Sequence, residues 1–225
     1  MNKFLFASLI AIFFSSLAIV SAQTMLTASL SGYWKLDEPS GTSAVNSVTG
    51  IAMTTTEGHQ IPNGILNYAY SCSDEGGLDT KLNSNGNSSY SVNYWIKRLG
   101  SMPTSKYVVA QGDGISAANG WLEGITASAT DYQFGVRDSS SFKTYTTNLN
   151  LNDWTMLTIT ANINQLKLYV DGALVSTQEL SSFVPANKDF FFCGSSTGIN
   201  QANNVAIDEV GIWGNRILNQ SEIND

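Results

Sequence analysis

From Ser31 onward the chain is written in short alternating runs of apolar and polar residues, cut by Gly, Asn, Asp and Ser. Tyr132, Phe134 and Val136 alternate with Gln133, Gly135 and Arg137, and Leu166, Leu168 and Val170 alternate with Gln165, Lys167 and Tyr169. Successive side chains on a strand point to opposite faces, so each run predicts a strand with one buried face. Asp171-Gly172 joins the second run to Ala173–Thr177. That dipeptide predicts a tight hairpin, because a type I′ turn needs positive φ at both central residues. Further strands are predicted at Tyr33–Leu36, Ile65–Tyr70, Tyr90–Lys97, Tyr107–Gln111, Trp121–Thr126, Phe142–Thr147, Trp154–Ala161, Phe190–Cys193 and Val205–Trp213. Such spacing, with turn chemistry between the runs, predicts an all-β, antiparallel β-sandwich or barrel. Only the end reads helical: Asn219 is placed as an N-cap, with Glu222 three residues on. Asp225 follows too soon for a stable lone helix, so either the last turn docks on the sandwich or the sequence is a fragment.

Composition agrees with this pattern. Charged residues are 13% of the 225, against about 25% in ordinary domains. Turns take Ser, Asn and Gly, and strands disfavour Lys and Glu. The balance is acidic, with 18 Asp and Glu against 11 Lys and Arg. Lys97-Arg98 is too small a basic footprint for nucleic acid, which is bound through clusters of cations. No internal repeat, linker or second domain is visible.

Residues 1–22 read as a secretory signal: Lys3, an apolar run from Phe4 to Val20, then Val20-Ser21-Ala22 with cleavage before Gln23. The alternative is an uncleaved anchor, but the run is about 17 residues, the short limit for a span, and Ser15-Ser16 interrupts it. No later run is long enough to cross a membrane. The expectation is an exported domain over residues 23–225, extracellular or on a cell surface. Export meets an oxidising compartment, and Cys72 and Cys193 allow one pairing. Two separate buried thiols are the alternative.

Three stretches carry a resemblance: Gly32–Gly41 (GYWKLDEPSG) with Asn46–Gly50 (NSVTG), then Trp154–Thr158 (WTMLT) with Leu166–Gly172 (LKLYVDG), and Ile207–Trp213 (IDEVGIW) with Arg216–Leu218 and Glu222-Ile223. Tyr94–Lys97 (YWIK) adds a fourth match. In this order the chain resembles the laminin-G-like, concanavalin A-type jelly-roll superfamily, in particular its laminin G 3 branch. The resemblance implies a jelly-roll sandwich, and it places Trp34, Trp95, Trp154 and Trp213 on core motifs. Asn46 stands where the family usually has Asp, Met156 replaces a common His, and Leu66–Tyr70 departs from the usual motif.

The resemblance also implies where chemistry would sit. Glycan hydrolases of this fold carry acidic residues at i, i+2 and i+4 on one strand face. Here Ala206 and Val210 occupy the flanking positions, and Asp208 and Glu209, being adjacent, are expected on opposite faces. The retaining pair is absent, so no catalytic residue is assigned. His59 reads as a solvated loop histidine. A structural Ca²⁺ is the expected cofactor, carried over onto Asp37, Glu38, Asn46, Gly50 and Asp208. The alternative is an Asp208 satisfied by backbone N–H groups; it is placed on the apolar face with Val210 and Ile212, where a carboxylate needs a partner. Sugar recognition needs aromatic faces beside hydrogen-bonding groups. The candidates are Trp121, Asn119, Asp113 and Phe191, since Phe190, Phe191 and Phe192 do not all face one way. Asn87-Ser88-Ser89 and Asn219-Gln220-Ser221 fit the glycosylation sequon.

The expected function is non-catalytic recognition of glycans or glycosylated surfaces. The alternatives are a polysaccharide hydrolase or lyase of the same fold, and a structural or adhesion protein that binds protein partners.

Overall fold

The computed structural model describes residues 26–54, 59–72, 77–83, 87–111, 122–126, 128, 131–138, 141–181, 183, 186–195 and 201–225. The leader expected at 1–22, and Asp113, Asn119 and Trp121, lie outside the described residues. Two antiparallel sheets face each other. The first runs β14 (Ala173–Glu179), β13 (Gln165–Val170), β12 (Thr155–Asn162), β7 (Ser89–Arg98), β16 (Val205–Gly214), β5 (Tyr68–Ser71) and β4 (Gln60–Pro62). β1 (Leu30–Trp34) pairs with the far half of β16. The second runs β11 (Ser141–Asn148), β10 (Asp131–Asp138), β9 (Leu122–Thr126), β8 (Lys106–Gln111), β15 (Asp189–Phe192), β6 (Leu78–Asn83), β3 (Ala52–Thr54) and β2 (Ser43–Val45).

The alternating residues fill the space between the sheets. Val92, Tyr94 and Ile96 of β7 and Leu157, Ile159 and Ala161 of β12 meet Tyr132, Phe134 and Val136 of β10 and Phe190 and Phe192 of β15. Tyr94 packs edge-on against Phe192 at 5.5 Å, and its hydroxyl shares a 2.9 Å hydrogen bond with that of Tyr132. The hydroxyl bond matters because an unpaired polar atom in this core would cost stability. Phe191 falls out of phase with its neighbours and packs outside this core, although it is covered.

The Asp171-Gly172 turn has φ of 48° and 78°, the type I′ geometry the dipeptide predicts. The predicted long strands are present within a few residues, the first beginning and ending earlier than Tyr33–Leu36. Four strands were not predicted: β2, β3, β4 and β6. Three of them have only three residues, too few to show a period, and Pro62 in β4 sits on a sheet edge, where a missing N–H costs no ladder bond.

Cys72 and Cys193 form a disulfide. Cys72 directly follows β5 of one sheet and Cys193 directly follows β15 of the other, so the bond joins the two sheets. The C-terminal helix (Gln220–Asn224) carries the capping box expected from Asn219 and Glu222. It docks, rather than standing alone: Leu218 and Ile223 pack with Tyr169 and Trp213 on the outer face of the first sheet, and Arg216 pairs with Glu222.

Candidate functional site

The outer face of the first sheet is organised by one bulge. In β16, Asp208 stands opposite Trp95 and Gly211 opposite Asn93, so three steps on β16 match two on β7. The extra residue is taken up at Glu209, whose φ is 49°. A bulge of this kind shifts the alternation by one residue. Ile207 on one side and Val210 and Ile212 on the other all reach the core, while Asp208 leaves that face. This corrects two expectations: Asp208 does not share its face with Val210 and Ile212, and Asp208 and Glu209 are not on opposite sides of the sheet.

Asp208 is fully buried beneath the loop that precedes β5. Its Oδ2 accepts the Ile65 N–H at 2.7 Å, and its Oδ1 accepts the Glu209 N–H at 2.9 Å. Burial nevertheless dominates and raises its carboxyl to about 7, with the charges of Glu209 and Asp37 pushing the same way. Glu209 is raised too, chiefly by burial. Its Oε2 accepts the Tyr33 hydroxyl, and its Oε1 is closed to solvent with no hydrogen-bond partner among the described residues. Tyr33 is raised above the ordinary phenol range by burial and by holding its proton against Glu209.

Tyr33 and Glu209, but not the buried Asp208, wall a groove of about 410 Å³. Trp95, Trp213 and Tyr33 supply aromatic surface, Asn93 and Glu209 supply polar groups, and Ile65, Leu66, Leu26 and Leu30 close the sides. Register explains the gathering: Asn93 and Trp95 alternate with the inward Val92, Tyr94 and Ile96, and Tyr33 lies opposite Gly211. The Trp213 indole donates to the Leu26 carbonyl at 2.7 Å, and its ring sits over Gly211, where a β-carbon would come within 2.8 Å of it. Asn93 donates to Thr158 at 2.7 Å, which fixes its amide. The volume and the mix of apolar walls with a few polar groups are those of a small-ligand site.

Trp34 is core, as expected. Trp213 is buried as expected, in the smaller core cluster under the C-terminal helix, with an edge on this groove; Trp95, read from its motif as core, instead lines the groove, and Trp154 is half-buried with its indole donating to Asn63. Alternation alone contained the signal for Trp95, since its neighbours Tyr94 and Ile96 claim the core. His59 is half-buried and edge-on to Tyr70 at 6.4 Å, a more enclosed place than a solvated loop. Phe191 is almost buried and lies on the second sheet, away from the groove lining. Gln111, at the end of β8, donates to the carbonyls of Ala186 and Lys188.

The carried-over calcium residues divide between two places. Asp37 accepts the Tyr68 N–H and the Asn67 amide, and Asp208 accepts that of Ile65, so both grip the loop before β5. Asn46 accepts the N–H groups of Tyr33, Val48 and Thr49, its own carbonyl accepts that of Gly50, and Glu38 accepts that of Val45. Calcium needs six to eight convergent oxygens. Oxygens of Asp37, Glu38, Asn46 and Asp208 already serve amide donors, and among the described residues no three His, Cys, Asp or Glu side chains gather to hold a metal ion. As a set they do not fit the cation.

Two antiparallel sheets, riveted face to face and carrying a groove on one outer surface, define a jelly-roll β-sandwich of the lectin type. The chain belongs to the laminin G 3 family of the concanavalin A-like lectin/glucanase superfamily, whose family model matches residues 73–224. No curated protein sequence matches it. Among solved structures it is similar to the receptor-binding domain of botulinum neurotoxin mosaic serotype C/D, at 19% identity and a TM-score of 0.63, over 88% of this chain and 50% of that one. It is similar to the serotype D ligand-binding domain in complex with N-acetylneuraminic acid, at 19% and 0.63, over 90% and 51%. It is also similar to the neurotoxin DC binding domain in complex with rat synaptotagmin II, at 14% and 0.59, over 88% and 51%. The chain spans about half the length of these structures, and at such identities the likeness is one of fold. No helix among the described residues is long and apolar enough to cross a membrane.

Proposed function

We propose that this chain is an exported, non-catalytic recognition module for glycans or glycosylated surfaces, and that the groove on the outer face of the first sheet is its binding site. The observation that carries the reading is the convergence of Trp95, Trp213 and Tyr33 with Asn93 and Glu209 around one groove of about 410 Å³. Aromatic faces stack on the apolar faces of sugar rings, while the amide and carboxylate orient the hydroxyls. That one similar fold is solved with N-acetylneuraminic acid and another with a protein receptor supports a recognition role, though fold alone does not assign a ligand. Secretion rests on the leader-like sequence at 1–22. The amide-satisfied oxygens leave no part for calcium in this reading.

The test is a glycan array probed with residues 23–225 and with the Trp95→Ala variant. Binding to a subset of glycans that Trp95→Ala removes is the expected result. Binding to none sinks the proposal and favours a protein partner, and release of reducing ends from a polysaccharide panel would favour an enzyme.

A further inference from the structure

The groove's charge narrows what it accepts. Among the described residues Glu209 is the one carboxyl in its lining, and no Lys or Arg lines it. One more carboxyl stands close enough to act on Glu209 and on its neighbour, since Asp37 raises both Glu209 and Asp208. Lys35, an exposed side chain, is the cation that Glu209 feels. Arg216, near the same chain segment, is spent on Glu222 and on the carbonyls of Leu26 and Ala28. An anion entering here meets like charge in a poorly hydrated wall, which disfavours its binding.

The hydrogen-bonding capacity does not offset this. Glu209 Oε2 is taken by Tyr33, and Oε1 is closed to solvent. An ionised carboxylate only accepts, so it offers an entering carboxylate no donor.

We propose that the groove recognises neutral, hydroxyl-rich pyranosides and discriminates against sialylated or uronic-acid glycans, with Glu209 as the residue that sets this preference. The inference rests on the glycan reading of the same groove. It runs opposite to the anionic sugar found with one structure of similar fold, so it is not an extension of that likeness.

The experiment compares neutral oligosaccharides, the same oligosaccharides capped with N-acetylneuraminic acid, and the capped compounds esterified at the carboxyl, by titration calorimetry or surface binding. The expected result is at least a tenfold loss of affinity on capping and recovery of most of it on esterification. Glu209→Gln, its melting curve checked, narrows the capped-to-uncapped ratio to less than threefold. Equal or better binding of the capped compounds overturns the inference and leaves the glycan reading standing. A loss that esterification does not restore overturns it as well, because the barrier is then steric. An unchanged ratio in a folded Glu209→Gln variant removes Glu209 from the role. Binding of no oligosaccharide in any form overturns the glycan reading itself.

Discussion

The backbone N–H of Ile65 points at Asp208 Oδ2 from 2.7 Å, so a loop 143 residues earlier in the chain is fastened to the bulge of β16. Gly64 makes this approach possible. A β-carbon there would sit 2.1 Å from the Tyr68 carbonyl oxygen and 2.7 Å from Asp208 Oδ2. Since one of these neighbours is backbone, the loop has to move. Gly64→Ala is expected to cost about 2–3 kcal/mol, the scale of overpacking a tight site. Chemical denaturation measures it, and a loss under 0.5 kcal/mol, on the scale of an unremarkable surface change, would show that the loop is not fastened as described.

The raised carboxyl of Asp208 makes stability depend on pH. In the unfolded chain an Asp loses its proton near pH 4, but in the fold this one holds it to about 7. Between those values the folded state binds more protons, so stability falls as pH rises, by up to about 1.4 kcal/mol per pH unit. The contribution is complete below about pH 4 and lost through pH 7. Scanning calorimetry should give a higher Tm at pH 5 than at pH 8, with the gap reduced in Asp208→Asn. The residual slope belongs to Glu209, raised in the same direction. Equal wild-type Tm values at the two pH values would contradict the assignment.

Calcium should do little to the folded chain. The oxygens that a cation would need are paired with the N–H groups of Ile65, Glu209, Tyr33, Val48, Thr49 and Val45. A ligand that binds only the folded state adds about 2.7 kcal/mol at a hundredfold excess over its Kd. The Tm with millimolar calcium is therefore expected to match the Tm with chelator. A rise of several degrees would mean that the amide contacts give way to the ion.

Removing the Cys72–Cys193 bond should be costly. The pair is 121 residues apart in sequence, and a loop of that size is worth about 4–5 kcal/mol in the chain-entropy model. For a chain of this size, each kcal/mol shifts Tm by about 2–4 °C. The double variant Cys72→Ala, Cys193→Ala should melt roughly 10–15 °C lower by that scaling. A shift below about 3 °C would place the stabilisation elsewhere.

The parts of the fold that read correctly are those with enough residues to display a period. Strands such as Asp131–Asp138 and Gln165–Val170, and the Asp171-Gly172 turn, declare themselves through local chemistry. The capping box at Asn219 does the same. The site read less well for a specific reason. One extra residue at Glu209 reverses the phase of half a strand, and nothing in Ile207–Trp213 announces it. Motif position placed Trp95 in the core, whereas the register sends it outward. Asp113, Asn119 and Trp121 fall outside the described residues.

The bond between the sheets has a mechanical meaning. A module that grips a surface through one sheet carries whatever force the attachment bears. In a sandwich joined only by side-chain packing, that force would tend to peel one layer from the other. Here the strand end at Cys72, on the layer bearing the groove, is linked covalently to the strand end at Cys193 on the opposite layer. If the groove is the binding site proposed above, load taken up there is shared by both layers, and a reducing environment would turn a stiff grip into one that yields.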